Sequence, residues 1–283
     1  MSASSAIERF APRQTLVGLA RAFGGAIIFG LPLLMTMEMW SLGGYIDRPR
    51  LIVMVVVNLP LLVGLSHYIG FEPTDRIRDD IADAFVAYAV AFAASAGLLL
   101  LFGEIEASMS LDEITGKLVM QAVPGSIGAT LASKELGGDD DEDEDETGGA
   151  AEDPTYIADI FYMIVGALFL GFNLAPTEEM IKIGYQMEPW QPLALALLSL
   201  GLMHVFVYAV EFRGQHSRPP GTSLGEAFLR YTVVGYALVL LVCLYVLWTF
   251  GRLDGVSFGR AMSVVVVLSF PGAIGAAAAR LIL

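Results

Sequence analysis

Runs of about twenty predominantly apolar residues recur along this chain, and they restrict it to one class of fold. A helix of that length crosses the bilayer core, where every backbone polar group must be satisfied within the segment. Only 16% of the 283 residues are charged and 55% are hydrophobic, whereas soluble domains carry about a quarter charged residues. The sequence therefore predicts an all-α, polytopic membrane protein. Eight transmembrane helices are expected, at about 22–42, 51–69, 81–102, 116–133, 156–175, 191–212, 227–250 and 257–283.

An internal repeat organises these spans. The segment 25–39, GAIIFGLPLLMTMEM, aligns with the segment 166–180, GALFLGFNLAPTEEM, after a shift of 141 residues, and both end in the polar signature T-x-E-M. Four helices return the chain to the side of the membrane on which it began. The sequence therefore predicts two parallel four-helix repeats, related by an axis along the membrane normal. Two further pairs of similar segments follow in the same order: 83–90 with 226–233, and 124–132 with 271–279.

The repeats divide the chain into four predicted segments. Residues 1–21 are a cytoplasmic N-terminal segment, 22–133 the first four-helix repeat, 134–155 a linker and 156–283 the second repeat. The linker holds eight consecutive acids at 139–146 between glycine pairs. Such a self-repelling, apolar-poor stretch cannot bury surface, so it is predicted to be disordered.

The distribution of Lys and Arg predicts the orientation. With the N-terminus inside, ten of these residues lie on the cytoplasmic side and six lie outside, which is the expected bias. We therefore expect a multi-pass protein of the cell (inner) membrane with both termini cytoplasmic and the T-x-E-M ends facing outward. A pI near 4.5 argues against nucleic acid as a partner. The expected partners are the lipid bilayer and a small cation or proton, and no oligomeric state is predicted.

The repeated T-x-E-M signature supplies the candidate site. Carboxylates in or near a membrane are costly, and one that recurs is a candidate functional group. Glu38 and Glu179 are expected to pair across the repeats, with Thr36, Thr177 and Glu178 supplying further oxygens. Hard cations bind such ligands, and adjacent carboxylates raise each other's pKa towards proton exchange. The sequence thus predicts a hypothetical cation site. The alternative is that both glutamates lie at the outer interface in contact with headgroup water.

Other polar positions have simpler interpretations. Asp83 and Glu226 are expected in the first turns of spans three and seven, where acids favour the helix dipole, with a proton relay as the alternative. Lys117 and Gln121 make span four the least hydrophobic. The two Pro-Gly segments are each followed by small residues, which let helices approach closely. Packing is the first interpretation of these segments, and a hinge is the alternative.

The sequence contains none of the signatures of common enzymes. It has no Walker loop, GxSxG or HExxH motif, so we expect no catalytic residue, no cofactor and no enzymatic activity. The function favoured by the sequence is a small-cation or proton-coupled transporter or channel that uses the repeated carboxylates. The alternative is a non-transporting membrane scaffold or sensor.

Three stretches also carry a resemblance. LPLLMTMEMW (31–40), PGSIGA (124–129) and NLAPTEEM (173–180) resemble an uncharacterised family of prokaryotic integral membrane proteins, a domain of unknown function, and the chain looks like a haloarchaeal-type member. The likeness covers most of the chain outside the acidic linker. The resemblance implies a polytopic inner-membrane protein and supplies no reaction, substrate or site.

Overall fold

The architecture is helical in both halves of the chain. A computed structural model describes residues 12–69, 77–135, 156–208, 225 and 228–282, and within these residues all regular structure is helical. The chain divides into two compact units, Met1–Glu146 and Thr147–Leu283. Among the described residues, each unit has a long helix, a short helix and three further α-helices, in that order, and the second unit has an additional π-helical turn.

The first unit is built around its last helix. Its final helix contacts all four of the others, and every residue from 116 to 132 except Leu118 is buried. This helix is therefore enclosed by its neighbours. The helices are α1 (Pro12–Leu34), α2 (Met37–Tyr45), α3 (Arg48–Ile69), α4 (Ile77–Leu101) and α5 (Leu111–Glu135).

The second unit is also built around its last helix. Its last helix contacts the four helices that precede it. A π-helical turn, Phe228–Val233, leads into the fourth of them, and the second and third are bent by 119° relative to each other. The α-helices are α6 (Tyr156–Leu174), α7 (Glu178–Gln186), α8 (Gln191–Tyr208), α9 (Val234–Thr249) and α10 (Phe258–Ile282).

Glycines allow the central helix of each unit to approach its neighbour. A side chain at Gly25 of α1 would collide with the backbone of Gly128 of α5, and a side chain at Gly166 of α6 would collide with the backbone of Gly275 of α10. Small residues permit this close backbone approach between membrane helices. The predicted role of the small residues after the two Pro-Gly segments in packing agrees with these contacts.

The described helices give fewer clear spans than the eight expected. Six are long and apolar enough to cross a membrane, or seven if the bent pair α7 and α8 counts as one span. The span expected at 116–133 belongs to α5, which does not pass this test because charged and polar residues dilute it. Because its neighbours bury it, α5 can carry polar side chains that a lipid-facing helix cannot. The all-helical, multi-pass architecture agrees with the sequence, whereas the count of eight rests on α5 and α8.

Two helices extend past the bounds of the predicted segments. Helix α1 begins at Pro12 rather than at residue 22, so residues 12–21 extend the first helix; proline is well suited to a first helical position. Helix α5 continues to Glu135, two residues into the predicted linker. The acidic run and the first eleven residues lie outside the described residues.

Candidate functional site

The first T-x-E-M signature lies at the break between α1 and α2. Thr36 immediately precedes α2, and its hydroxyl donates a hydrogen bond to the carbonyl oxygen of Leu33 at 2.9 Å. Glu38 lies in the first turn of α2 and is half-buried. A carboxylate in this position interacts favourably with the positive end of the helix dipole. The signature therefore starts a new, short helix rather than closing a long one.

The second signature has the same local geometry between α6 and α7. Thr177 precedes α7, and its hydroxyl donates to the carbonyl oxygen of Leu174 at 2.7 Å. Glu178 and Glu179 lie in the first turn of α7, and both are exposed. In each unit a threonine hydroxyl thus donates a hydrogen bond to a carbonyl at the end of the long helix, and a glutamate lies in the first turn of the short helix.

The structure brings together the predicted site residues within each unit. Thr36 and Glu38 share the break in the first unit, and Thr177, Glu178 and Glu179 share the break in the second. The pairing of Glu38 with Glu179 would join the two units and stays a prediction. The part of the chain that the structure describes contains no group of three or more His, Cys, Asp or Glu residues that could hold a metal ion.

A charged cleft that the sequence reading missed lies beside α2 in the first unit. It is open to the outside of the unit and has a volume of about 540 Å³. One wall is a face of α2, and the opposite wall comes from the α4–α5 loop and the start of α5. Glu38 is not part of this lining. The lining residues that matter for its chemistry are Trp40, Ser41, Tyr45, Glu104, Glu113 and Lys117.

Lys117 pairs with both carboxylates of the charged wall. It is only 6% exposed, and its Nζ lies 2.9 Å from the carbonyl oxygen of Glu104 and 3.4 Å from Glu104 Oε2. Glu113 Oε1 lies 4.0 Å from the same ammonium. Both carboxylates are partly exposed to the cleft, with 25% and 37% of their side-chain surface accessible. Two carboxylates around one ammonium leave a net charge of −1.

The signal for this wall was present in the sequence as a helical spacing. Glu113, Lys117 and Gln121 follow one another at intervals of four, which places them on one face of α5. Gln121 is 1% exposed and donates to the carbonyl oxygen of Leu33 at 3.4 Å, while its Oε1 has no hydrogen-bond partner. A hydropathy average registers Lys117 and Gln121 only as a dilution of the span, whereas their spacing indicates a polar stripe.

Buried polar contacts also cross the interior of each unit. Asn58, only 4% exposed, donates to the hydroxyl oxygens of Tyr88 at 2.9 Å and Ser126 at 3.0 Å. In the second unit the hydroxyls of Tyr236 and Ser269 lie 2.8 Å apart. Each unit thus has a tyrosine of its fourth α-helix bonded, directly or through one amide, to a serine of its last helix. Hydrogen bonds between buried polar side chains of different helices help to fix the register between those helices.

The opposite end of the first unit carries a second charged group. Asp80 is fully buried, and its Oδ2 lies 3.3 Å from His67 Nδ1. Asp83 accepts a hydrogen bond from the hydroxyl of Ser66 at 3.0 Å. The expectation that Asp83 lies in a first helical turn is wrong, because α4 begins earlier and its first-turn acids are Asp79 and Asp80. Glu226, the other acid of that prediction, lies outside the described residues.

The second unit contains a buried ion pair near its end. Arg280 Nη2 lies 3.1 Å from Asp159 Oδ2, and both side chains are more than nine-tenths buried. The guanidinium of Arg280 also lies over the ring of Tyr231, 4.3 Å from its centroid. A buried pair of this kind links α10 to α6 and to the π-helical turn. It is a structural contact that the sequence reading did not anticipate.

Comparison with known families identifies the group to which the chain belongs. The family model described as "Putative integral membrane protein (DUF2391)" matches residues 18–283, so the chain is a member of that family. The resemblance found in the three short stretches is thereby confirmed. A search of curated proteins found no match, and neither did a search of solved structures.

Proposed function

We propose that this family member is a transporter or channel for a small cation, with proton coupling as one form of the same activity. Its binding carboxylates are Glu38 and Glu179, and no catalytic residue or cofactor is involved. The observation that carries the proposal is the shared geometry of the two signatures. Thr36 and Thr177 each end a long helix and precede a nine-residue helix whose first turn holds a carboxylate.

Broken helices of this kind suit a cation site. Transporters commonly place substrate and ion sites where membrane helices are interrupted, because backbone carbonyls become available there. The hydroxyls of Thr36 and Thr177 donate to carbonyls, and their oxygens retain lone pairs that can accept a ligand. Glu178 adds a third carboxylate beside Glu179. Oxygen ligands of these types favour hard cations.

An internal repeat of two parallel four-helix units, each with one short additional helix, is part of the proposal. The shared order of elements and the paired glycine contacts of α1 with α5 and of α6 with α10 support it. The fourth helical element of each unit also ends in the same way. Gly103 and Gly251 have φ values of 74° and 70°, and in both places the next amide bonds a carbonyl five residues earlier. That pattern is a Schellman motif.

Helix contacts supply the register of the proposed repeat. A Cβ on Gly125 would lie 3.5 Å from Ala91 Cβ, and one on Gly272 would lie 3.0 Å from Val239 Cγ1. Because Gly125 and Gly272 both follow the matched prolines, Ala91 and Val239 occupy corresponding places.

This register changes one of the pairs read from sequence. Ala91 is matched to Val239, and Gly103 to Gly251. With the same shift, Tyr88 corresponds to Tyr236 rather than to Tyr231. Both of these tyrosines take part in the buried hydrogen bonds to a serine of the last helix.

The proposal includes eight membrane crossings. Helices α5 and α8 are added to the six that pass on length and composition. Helix α5 is 25 residues long, enough to cross the hydrocarbon core, and its polar side chains are enclosed by the unit. An even number of crossings in the first unit gives both units one orientation. The bias of Lys and Arg then supports cytoplasmic termini and outward-facing signatures in the cell membrane.

Flux measurements test the function. The full chain is reconstituted in proteoliposomes, and the movement of Na⁺, K⁺, Mg²⁺, Ca²⁺ and protons is followed for the wild type, Glu38→Gln and Glu179→Gln. We expect flux of at least one of these ions in the wild type and its loss in both variants. Glu106→Gln is the matched control, because Glu106 is exposed in the α4–α5 loop and does not line the cleft. Flux that is indifferent to both site variants contradicts the assignment.

A second function is favoured by the position of the glutamates in the first turns of α2 and α7. If Glu38 and Glu179 only stabilise these helix ends, the protein is a membrane scaffold or sensor without a transport path. In that case no ion moves above the background of empty liposomes. The two variants would then lower thermal stability slightly, by about 0.3–1 kcal/mol each, and leave permeability unchanged.

A further inference from the structure

The cleft of the first unit has the features of a binding site that is separate from the T-x-E-M signatures. We propose that it binds a small organic cation, a primary or quaternary ammonium compound, between the carboxylates of Glu104 and Glu113 and the rings of Trp40 and Tyr45. Glu38 and Glu179 are not part of it. The inference therefore does not depend on the cation path proposed above.

The donors and acceptors of the charged wall leave a place for a cation. Lys117 donates to the carbonyl oxygen and to the carboxylate of Glu104, and the carboxylate of Glu113 forms a longer ion pair with the same ammonium. The ammonium is thereby paired within the wall itself. Each carboxylate can accept several hydrogen bonds, and both remain partly exposed. The wall therefore presents unused acceptors and a net negative charge to the cleft.

The second unit serves as an internal control for whether the packing needs a lysine. A Cβ on Gly43 of α2 would lie 2.7 Å from Lys117 Cα, and a Cβ on Gly184 of α7 would lie 2.9 Å from Val264 Cα. The short helix and the central helix therefore approach equally closely in both units. The second unit makes this crossing with a valine, so the fold does not require a buried ammonium. A buried charge that packing does not require is a candidate for function.

Aromatic side chains complete the opposite wall. The indole Nε1 of Trp40 donates to the carbonyl oxygen of Leu34 at 2.9 Å, which fixes the orientation of the ring. Tyr45 is 66% exposed at the edge of the cleft. Aromatic rings attract ammonium groups, and quaternary ammonium compounds are bound by such rings in other proteins. Carboxylates on one side and rings on the other match the charge and the apolar surface of an alkylammonium.

The same geometry disfavours a metal ion. Lys117 occupies the position between the two carboxylates, where a bridging metal would have to lie. Within the described residues no cluster of three or more metal-ligating acids, histidines or cysteines exists. An alkylammonium can bind the outward carboxylate oxygens without displacing the lysine. The chemistry of the cleft therefore selects an organic cation.

Fluorescence of Trp40 provides the binding assay. Trp40, Trp190 and Trp248 are the three tryptophans, so Trp190→Phe with Trp248→Phe leaves one reporter in the cleft. The full chain in lipid nanodiscs is titrated with tetramethylammonium chloride at constant ionic strength, with NaCl as the matched titrant. We expect a saturable change with tetramethylammonium alone. Glu113→Gln is expected to weaken binding roughly 5- to 10-fold, and Glu106→Gln is expected to leave it unchanged.

A second variant keeps the test decisive if Glu113→Gln does not fold. Tyr45 is exposed, so Tyr45→Ala should leave the unit intact and weaken binding about two- to fivefold through the loss of the ring, while Tyr45→Phe keeps it. An equal response to NaCl, or affinities unchanged by both Glu113→Gln and Tyr45→Ala, would overturn the proposal. Binding that persists when no ion flux is found would separate this site from the transport function.

Discussion

The two central helices, α5 and α10, solve the same packing problem with different residues. Both contain a proline, both lie inside their units, and both meet a glycine of the first helix of their unit at close backbone distance. Helix α10 is apolar enough to be recognised as a span, and α5 is not. In the proposed repeat, Val264 and Leu268 of α10 correspond to Lys117 and Gln121 of α5. Enclosure by neighbours thus releases a membrane helix from the need to be apolar.

The largest expected effect comes from disrupting the close glycine contacts that α5 and α10 both make. Gly25→Val would force a side chain into the backbone of Gly128, and Gly166→Val would do the same at Gly275. Overpacking of this kind costs about 3 kcal/mol or more where backbone must move. We expect both variants to lose most of their thermal stability in detergent. Gly24→Ala is the control, since a Cβ there meets nothing within 4 Å. Tolerance of either valine would contradict the close approach.

An exchange of residues tests how the helices differ. Val264 is buried, and Val264→Lys places an ammonium on α10 without the carboxylates that surround Lys117. We expect a loss of about 2–3 kcal/mol. The reverse change, Lys117→Val, leaves two partly exposed carboxylates without their cation, at a smaller cost of about 1–2 kcal/mol. Denaturation curves of both variants check this order. Equal losses of stability in the two variants would contradict the difference between the surroundings of Lys117 and Val264.

The smallest expected effect concerns the turns that precede the two helices. Gly103 and Gly251 have positive φ values, and an alanine in that conformation costs about 1 kcal/mol. Gly103→Ala and Gly251→Ala should therefore lower stability by similar amounts. Gly97→Ala, inside α4 and with open space around it, should instead raise stability slightly. A difference between the two turn variants would argue against corresponding turns in the two units.

The sequence predicts the class of architecture well because apolar length is a local property. The apolar runs indicated a helical, multi-pass protein, and the family match and the helices confirm it. The small residues after Pro124 and Pro271 correctly indicated close packing. Local patterns also located the T-x-E-M signatures, but the helices that begin there were not predicted, since Thr36 and Thr177 end the preceding helix through side-chain bonds to carbonyls.

The charged cleft could not be located from the sequence because it depends on contacts between distant segments. Glu104 and Lys117 are charged residues of neighbouring segments, but the cleft exists only because α2 places Trp40 and Tyr45 opposite them. Hydropathy averages treat Lys117 as a defect in a span. Its burial, its hydrogen bonds to Glu104 and its ion pair with Glu113 are evident only from the packing of α5 among its neighbours.

The most direct test of this account asks whether the two signatures lie on one side of the membrane. If α5 does not cross, the first unit has an odd number of crossings and the second unit is inverted, so Glu38 and Glu179 cannot form one site. Cys243 is the single cysteine, so Cys243→Ser gives a cysteine-free background. Ser41→Cys and Gln186→Cys, both at exposed positions, are introduced separately into that background. Each is then labelled with a membrane-impermeant maleimide in intact cells and in inverted vesicles. We expect both positions to be labelled in the same preparation. Labelling of one in cells and of the other only in inverted vesicles would contradict it.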